Sequence, residues 1–533
     1  MEVDPMSGKK PSGTGFAIFL LVTAVVCGAL VMVVQVLGSR VIGPYFGVSL
    51  FVWTALISVT LLSLSVGYAL GGRLADRHPS PDWLFGVIVV AGLLVVSVPV
   101  LKVPVIEATS AMGLRAGALT AATLLFAPAL VLLGCVSPYI VRIGVADWAS
   151  LGRTVGLFYA VSTAGSFAGT ALAGFFIIAY LGVTKAFYLC GFLLCALGVS
   201  YFVVFRRRVV AMFVLLPFGL VAFDKGGTVE ATMPDGTRVT LVDHGDSFYG
   251  NVKVVDYRGA VGQTREMMID GLIQGGLDSV TGQSVYEYAY LLAQLPFAAK
   301  PDIKNALFIG LGPGAVVGEY QRRGVLSDVV DIDPLVVEMA EKHFGFRPQR
   351  PVILADGRTA LRDTKTIYDV IVMDVFNGDI TPGHLLSEEA ISQTRTRLSP
   401  DGIFAMNLIG NLAPDARMLP SVVRTLRTQF REVIAFPLFD ATTPDSARGN
   451  LVILASNVSL AGPLAIRELA GVHPLAAVGV TAALRQGMRL PEYNDAVLLT
   501  DDYNPLDVFE PALHEDVRRA ILNTTPRAIL LHG

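Results

Sequence analysis

The apolar positions of the first 223 residues neither alternate nor repeat at helical spacing; they run on almost unbroken. Such runs cover Gly15–Gly38, Leu50–Leu70, Trp83–Leu101, Ala116–Val141, Leu157–Ala179 and Ala186–Phe205. Each approaches the roughly 20 apolar residues that a helix needs to cross a bilayer. A seventh run, Val209–Phe223, is shorter, and Arg206, Arg207 and Arg208 separate it from the sixth. After Asp224 the pattern changes. Arg238–Val242, Asn251–Val255 and Glu266–Ile269 alternate between turns, which predicts a small antiparallel β module. Short apolar runs then alternate with helix-period stretches: Ala306–Ile309, Asp328–Ile332, Pro351–Ala355, Tyr368–Met373, Ile403–Leu408 and Asn450–Ala455. That alternation predicts a parallel sheet with covering helices. The chain is therefore expected to be a multi-pass α-helical membrane domain followed by an α/β Rossmann-like domain with a small N-terminal antiparallel β module. The expected bounds are a polar tail over 1–14, six or seven membrane helices over 15–223, the β module over 224–274 and the sheet domain over 275–533.

Composition sharpens this picture at a few points. The chain of 533 residues is 53% hydrophobic and 16% charged, too apolar for a wholly soluble protein. The net charge of −3, without a basic groove, argues against a nucleic-acid partner. Cys27, Cys135, Cys190 and Cys195 all fall in apolar runs without metal-ligand spacing, so they read as small hydrophobes. Gly165 and Gly169, four apart in the fifth run, offer a small-residue face for close helix packing. Ser137-Pro138-Tyr139 is expected to interrupt the fourth. Arg73, Arg77, Arg142, Arg153 and Arg206–Arg208 share one set of connections, against Arg40, Lys102, Arg115 and Lys185 on the other. Cationic loops stay inside, so the N-terminus is expected in the cytoplasm of a cell-membrane protein. Seven full spans would then carry the C-terminal half outside.

Candidate chemistry begins at Gly310-Leu311-Gly312-Pro313-Gly314, which ends the first parallel strand and opens a helix. Glycines there let a ligand approach the backbone, and the helix N-terminus favours polar or negative ligand atoms. The second strand ends at Asp331, suited to a ribose diol, the third at Asp356-Gly357 and the fourth at Asp374. A nicotinamide dinucleotide would call for a fuller G-x-G-x-x-G than this chain carries. A nucleoside without pyrophosphate fits better, S-adenosylmethionine (AdoMet) or a relative.

These residues, with Met268-Ile269-Asp270-Gly271-Leu272-Ile273-Gln274, Val330-Asp331-Ile332-Asp333-Pro334, Asp356-Gly357-Arg358 and Met373-Asp374, resemble the spermidine synthase family of aminopropyltransferases. The resemblance runs from about Asp243 to Ile409, and the whole chain is similar to that family's membrane-fused branch. It implies a transferase of polyamine biosynthesis that uses decarboxylated AdoMet or AdoMet as co-substrate, no metal, a small amine as acceptor and a homodimer. It also implies a cytoplasmic catalytic domain, so one of the seven runs should not span the membrane. Residue by residue, Gly310, Gly312, Pro313 and Gly314 would form the cofactor turn, Asp331 would hold the ribose, Asp356-Gly357 would meet the adenine, and Pro382 would line the adenosine pocket. Asp374 would be the proton acceptor. Tyr249, Gly250, Gln274, Tyr288, Asn377 and Asp379 would occupy the substrate positions.

Several of those positions depart from the family pattern. Pro313 stands where the family has an Asp that binds the donor's free amine. Tyr249-Gly250 replaces a Tyr-Gln pair, Tyr288-Ala289-Tyr290 replaces Tyr-His/Gln-Glu, and Asn377 replaces the second acid of Asp-x-x-Asp, with Asp379 two residues on. A buried ammonium without a counter-charge is costly, so these changes bear on which amine is taken. Losing the acid at Pro313 also removes repulsion against the carboxylate of intact AdoMet. Two other functions suit the pattern: an AdoMet methyltransferase acting on a lipid or small molecule, and a transporter or sensor with a nucleoside-binding domain. Leu499-Thr500-Asp501-Asp502-Tyr503-Asn504-Pro505 is a polar turn that would either lie at the surface or help cover the substrate.

Overall fold

The computed structural model describes residues 13–47, 50–145, 151–216, 218, 229–260, 262–376, 381–413, 415–441, 448–509 and, near the end, 516, 518–519, 522 and 524–532. The chain divides into two compact units, Met1–Gly227 and Thr228–His532.

Among its described residues the first unit contains six helices long and apolar enough to cross a membrane: α1 (Thr14–Phe46), α2 (Leu50–Arg77), α3 (Pro81–Ser110), α4 (Gly113–Gly144), α5 (Leu151–Leu172) and α6 (Val183–Val204). The seventh apolar run makes only a 3₁₀ turn at Val209–Leu215 among its described residues. Those seven residues, at about 2.0 Å rise, fall far short of a roughly 30 Å hydrocarbon core; residues 217 and 219–223 lie outside the described residues. The expected break at Ser137-Pro138-Tyr139 is also absent. Pro138 sits inside a continuous α4, and Tyr139 donates to the His78 carbonyl at 2.6 Å beyond the end of α2. α5 does lose its regular turn, at a π-helical stretch over Ala173–Ile177. Small residues set the closest approaches. Side chains at Gly165 and Gly169 would run into the Val25 and Ala29 carbonyls of α1, and Gly67 and Gly71 of α2 lie equally close to α4. All four cysteines are buried and free.

The second unit opens with a five-stranded antiparallel sheet: β1 (Glu230–Thr232), β2 (Arg238–Asp246), β3 (Asn251–Gly259), β4 (Gly262–Ile269) and β5 (Leu272–Asp278). Asp270 and Gly271 make the β4–β5 turn with positive φ, +47° and +79°. Helix α7 (Glu287–Ala299) leads into β6 (Asn305–Ile309), followed by α8 (Ala315–Arg322), β7 (Leu326–Asp331), α9 (Pro334–His343), β8 (Ile353–Leu354), α10 (Gly357–Asp363) and β9 (Tyr368–Met373). Then come α11 (Glu388–Thr396), β10 (Leu398–Asn411), α12 (Met418–Leu426), β11 (Glu432–Pro437) and β12 (Arg448–Ser456). The last sheet strand, β13 (Met488–Arg489), follows α13 (Ala461–Ala465) and α14 (Pro474–Gln486).

The sheet order is β13-β11-β12-β10-β9-β6-β7-β8, parallel from β10 to β8 and antiparallel beyond β10. Its central strands are largely apolar because helices cover both faces: Phe308, Val370 and Val372 pack into one core, Leu307, Ile371 and Phe404 into the other. The chain steps outward from β6 to β7 and β8, then returns to lay β9 on the opposite side of β6. A crevice opens where that direction reverses, at the carboxyl ends of β6 and β9.

Candidate active site

Three strand ends converge on that crevice. The Asp374 N–H donates to the Ile309 carbonyl at 2.9 Å, and Gly310 N–H donates to Val330 at 2.8 Å, so β9, β6 and β7 finish in step. Gly310, Gly312 and Gly314 take φ of +93°, +52° and +81°, conformations closed to most side chains. Gly314 caps α8. The turn thus presents backbone to the crevice, as a nucleoside pocket requires.

Asp331 completes the turn. Its Oδ2 accepts from Leu311 N–H and its Oδ1 from Asp333 N–H, each at 2.9 Å. Each oxygen keeps a lone pair, which suits a ribose diol. Burial raises Asp331 to about 6 despite those two donors, and the Asp333 carboxylate adds to the rise. Ser247, in the β2–β3 turn, donates to Asp333 Oδ2 at 2.5 Å, bringing Tyr249 and Gly250 to the end of β7. There Tyr249 is exposed, and Gly250 lies against Ile269 and Asp270.

Asp356 caps α10 through Arg358 N–H at 3.0 Å and Thr359 N–H at 3.2 Å, and its Oδ2 meets His384 Nε2 at 2.7 Å. Burial pushes this carboxyl up, but His384 and the backbone N–H groups hold it below the ordinary carboxylate value. Pro382 opens the 3₁₀ turn that carries His384. No spacing in the sequence singled out His384; only the fold sets that turn over α10. Arg358 makes a two-pronged contact with Asp501, 2.6 and 2.5 Å, and Asn504 Nδ2 donates to the Gly383 carbonyl at 2.7 Å. The polar turn at 499–505 therefore latches the Asp356 and His384 segments together.

Asp374 lies at the end of β9, partly buried, and burial raises it to about 6. Asn407 Nδ2 donates to its Oδ1 at 3.0 Å, a partner that sequence alone did not suggest. Tyr288, on α7, is close enough for the Asp374 charge to push its phenol upward, after burial, and its hydroxyl donates to the Gln274 carbonyl at 2.9 Å. A side chain at Gly275 would meet both that hydroxyl and the Pro313 ring. Gln274, Tyr288 and Pro313 thus form one wall beside Asp374. Tyr286 and Tyr290 turn elsewhere, to Glu266 at 2.9 Å and to the Ser284 carbonyl at 2.6 Å. Asn377 and Asp379 lie outside the described residues. No cluster of metal-ligating side chains occurs among the described residues.

A glycine turn with positive φ, a paired acid at the next strand end and a partly buried carboxylate across the crevice form a site suited to a nucleoside co-substrate. The Spermine/spermidine synthase domain matches residues 286–451. A polyamine aminopropyltransferase of Vibrio vulnificus is 30% identical over 233 residues, covering 41% of this chain and 73% of that protein. The N-terminal histidine N-methyltransferase of Emericella nidulans is 34% identical over 141 residues, a quarter of each chain. Among solved structures, a probable spermidine synthase from Corynebacterium glutamicum aligns at 18% identity and a TM-score of 0.36, over 46% of this chain and 88% of that one. The chain belongs to the spermidine synthase family of polyamine aminopropyltransferases. It is a transferase with an AdoMet-type co-substrate, fused to six apolar helices of membrane-spanning length.

Proposed function

We propose that this protein is a membrane-bound aminopropyltransferase that moves an aminopropyl-type group from AdoMet or decarboxylated AdoMet to a small amine, releasing methylthioadenosine. One observation carries this: Asp374 stands at the switch point against the glycine turn with its carboxyl raised to about 6. A base works best with a pKa near the working pH, and this one is close. The acceptor arrives as an ammonium ion, so a proton must leave before its nitrogen can attack. Asp374 takes that proton. The nitrogen lone pair then bonds to the carbon beside the sulfonium, the C–S bond breaks, and sulfur keeps the electron pair. Asp331 holds the ribose, the 310–314 turn gives the sulfonium side a backbone wall, and Asp356 with His384 faces the base.

Pro313 argues for a carboxylated donor. The wall of Gln274, Tyr288 and Pro313 carries no acid, so nothing there repels the α-carboxylate of intact AdoMet. An even number of spans returns the chain to its starting side, and with arginines gathered in the same connections this supports a cytoplasmic catalytic unit. A homodimer is proposed from family membership alone.

The methyltransferase alternative draws support from the 34% identity to the histidine N-methyltransferase. Mass spectrometry of nucleoside products separates the two, using full-length protein with both donors, putrescine and spermidine. Methylthioadenosine with an alkylated amine is expected; S-adenosylhomocysteine would assign the chain to methyl transfer.

A further inference from the structure

The Asp374 carboxylate sits at the end of a chain of amides. Asn407 lies on β10 one residue beyond Met406, which pairs with Met373 of β9, so Asn407 is level with Asp374 on the neighbouring strand. It is 2% exposed. Its Nδ2 donates to Asp374 Oδ1 at 3.0 Å, and its Oδ1 accepts from Asn450 Nδ2, also at 3.0 Å. Asn450 comes from β12, where it pairs with Ile409, two residues along β10 from Asn407.

An asparagine amide has two ends, and a buried one takes whichever orientation its neighbours allow. Asn407 turned the other way would aim a carbonyl oxygen at a carboxylate. In the orientation observed, Asn450 Nδ2 meets the Asn407 oxygen while Asn407 Nδ2 meets the carboxylate, so both ends of the Asn407 amide are satisfied. Among the described residues Asn407 is the one hydrogen-bond partner of the Asp374 side chain, which leaves Oδ2 for a substrate proton.

We propose that Asn407 and Asn450 are positioning residues: Asn450 locks the Asn407 amide, and Asn407 in turn holds Asp374 Oδ1 so that Oδ2 faces the acceptor in its ionised form. This rests on Asp374 being the base. A donor to a carboxylate favours its charged form, so Asn407 works against the burial that raises Asp374. Among the described residues, the groups around Asp374 are the amide of Asn407 from β10, the Gly310 backbone after β6 and the Tyr288 phenol from α7. Of these only Tyr288 titrates, far above the working range.

The test compares the full-length protein in detergent with Asn407→Leu, Asn450→Ala and Asp374→Asn. Two readouts are taken: the pH profile of nucleoside release from decarboxylated AdoMet with putrescine, and the melting temperature from pH 4 to 8. In Asn407→Leu the acid limb should move up by about one pH unit, a loss of about tenfold in kcat at pH 5.5 with donor KM unchanged. Asn450→Ala, at a half-exposed site that perturbs folding least, should move it the same way by less. The melting readout needs no turnover. The difference between wild type and Asp374→Asn should change between about pH 4 and 6, and that window should extend upward when Asn407→Leu is added to both. Unshifted limbs and windows in both variants would overturn the relay. Turnover surviving Asp374→Asn would instead overturn the assignment of the base beneath it.

Discussion

Gly310 stands flush against Asp374: a β-carbon on the glycine would collide with the carbonyl oxygen of the aspartate. The glycine turn and the strand end that carries Asp374 are therefore in close backbone contact. With φ of +93° as well, Gly310→Ala pays twice, in strain and in collision. Strain alone costs on the order of 1–3 kcal/mol. The variant should melt several degrees lower and lose donor binding, both measurable on the purified protein by thermal shift with and without AdoMet.

Asp374→Asn keeps the shape of the side chain and the strand end while removing the base. Donor affinity should stay within a factor of about three, and kcat should fall roughly 10²–10⁴-fold, the range for a lost general base. Single-turnover product analysis beside a titration of the donor distinguishes this from a folding defect.

Glu266, on β4, is another buried acid. Tyr286 donates to its Oε1 at 2.9 Å, and its Oε2 has no hydrogen-bond partner among the described residues. Burial raises it from 4.5 to about 7, with the Tyr286 bond opposing. A carboxyl whose folded pKa is raised stabilises the fold while protonated. That stability is complete below about pH 4.5 and is lost as pH climbs through about 7. The loss is on the order of 3 kcal/mol by linkage. Glu266→Gln should therefore match wild type at pH 4.5 and melt higher at pH 8; equal melting curves at both values would contradict it.

The Arg358–Asp501 pair ties the polar turn to the helix that Asp356 caps. The two side chains are 23% and 40% exposed, so the pair contributes about 1 kcal/mol or less to stability. Asp501→Ala should leave the melting temperature nearly unchanged. It should raise donor KM several-fold while sparing kcat, because the cost falls on the Asp356–His384 side of the pocket.

Pro313→Asp restores an acid to the wall beside Tyr288. Like charges in a desolvated site disfavour one another, so intact AdoMet should lose about tenfold in affinity relative to decarboxylated AdoMet. Isothermal titration of wild type and variant with both donors checks this. Exclusive binding of the decarboxylated form by wild type would refute the proposed tolerance.

Much of this protein is legible in its residues because local physics dictates it. Runs of apolar residues near bilayer length can only be buried in lipid or protein, and six of the seven runs form helices of spanning length. The glycine turn and the acids at Asp331, Asp356 and Asp374 were readable because strand ends and positive-φ turns restrict residue type. The length of a run does not by itself give its conformation: in the shorter Val209–Phe223, the described residues Val209–Leu215 form a 3₁₀ turn. The break expected at Pro138 failed for a related reason: a helix packed among others accepts a missing N–H that an isolated one would not.

The partners of the site belong to the other category. His384, Asn407 and Asn450 lie 28, 33 and 43 residues from the groups they hold. Nothing in their types or spacing announces a role, since asparagine and histidine are commonplace in turns and strand ends. The sheet order that returns β9 beside β6, and the antiparallel register that sets β12 against β10, bring them within 3.0 Å. Residue chemistry alone therefore determined which groups stand at the strand ends. Chain topology decided how those groups are oriented and how far burial shifts their protonation, because burial and hydrogen bonding between strands distant in sequence exist only once the sheet has closed.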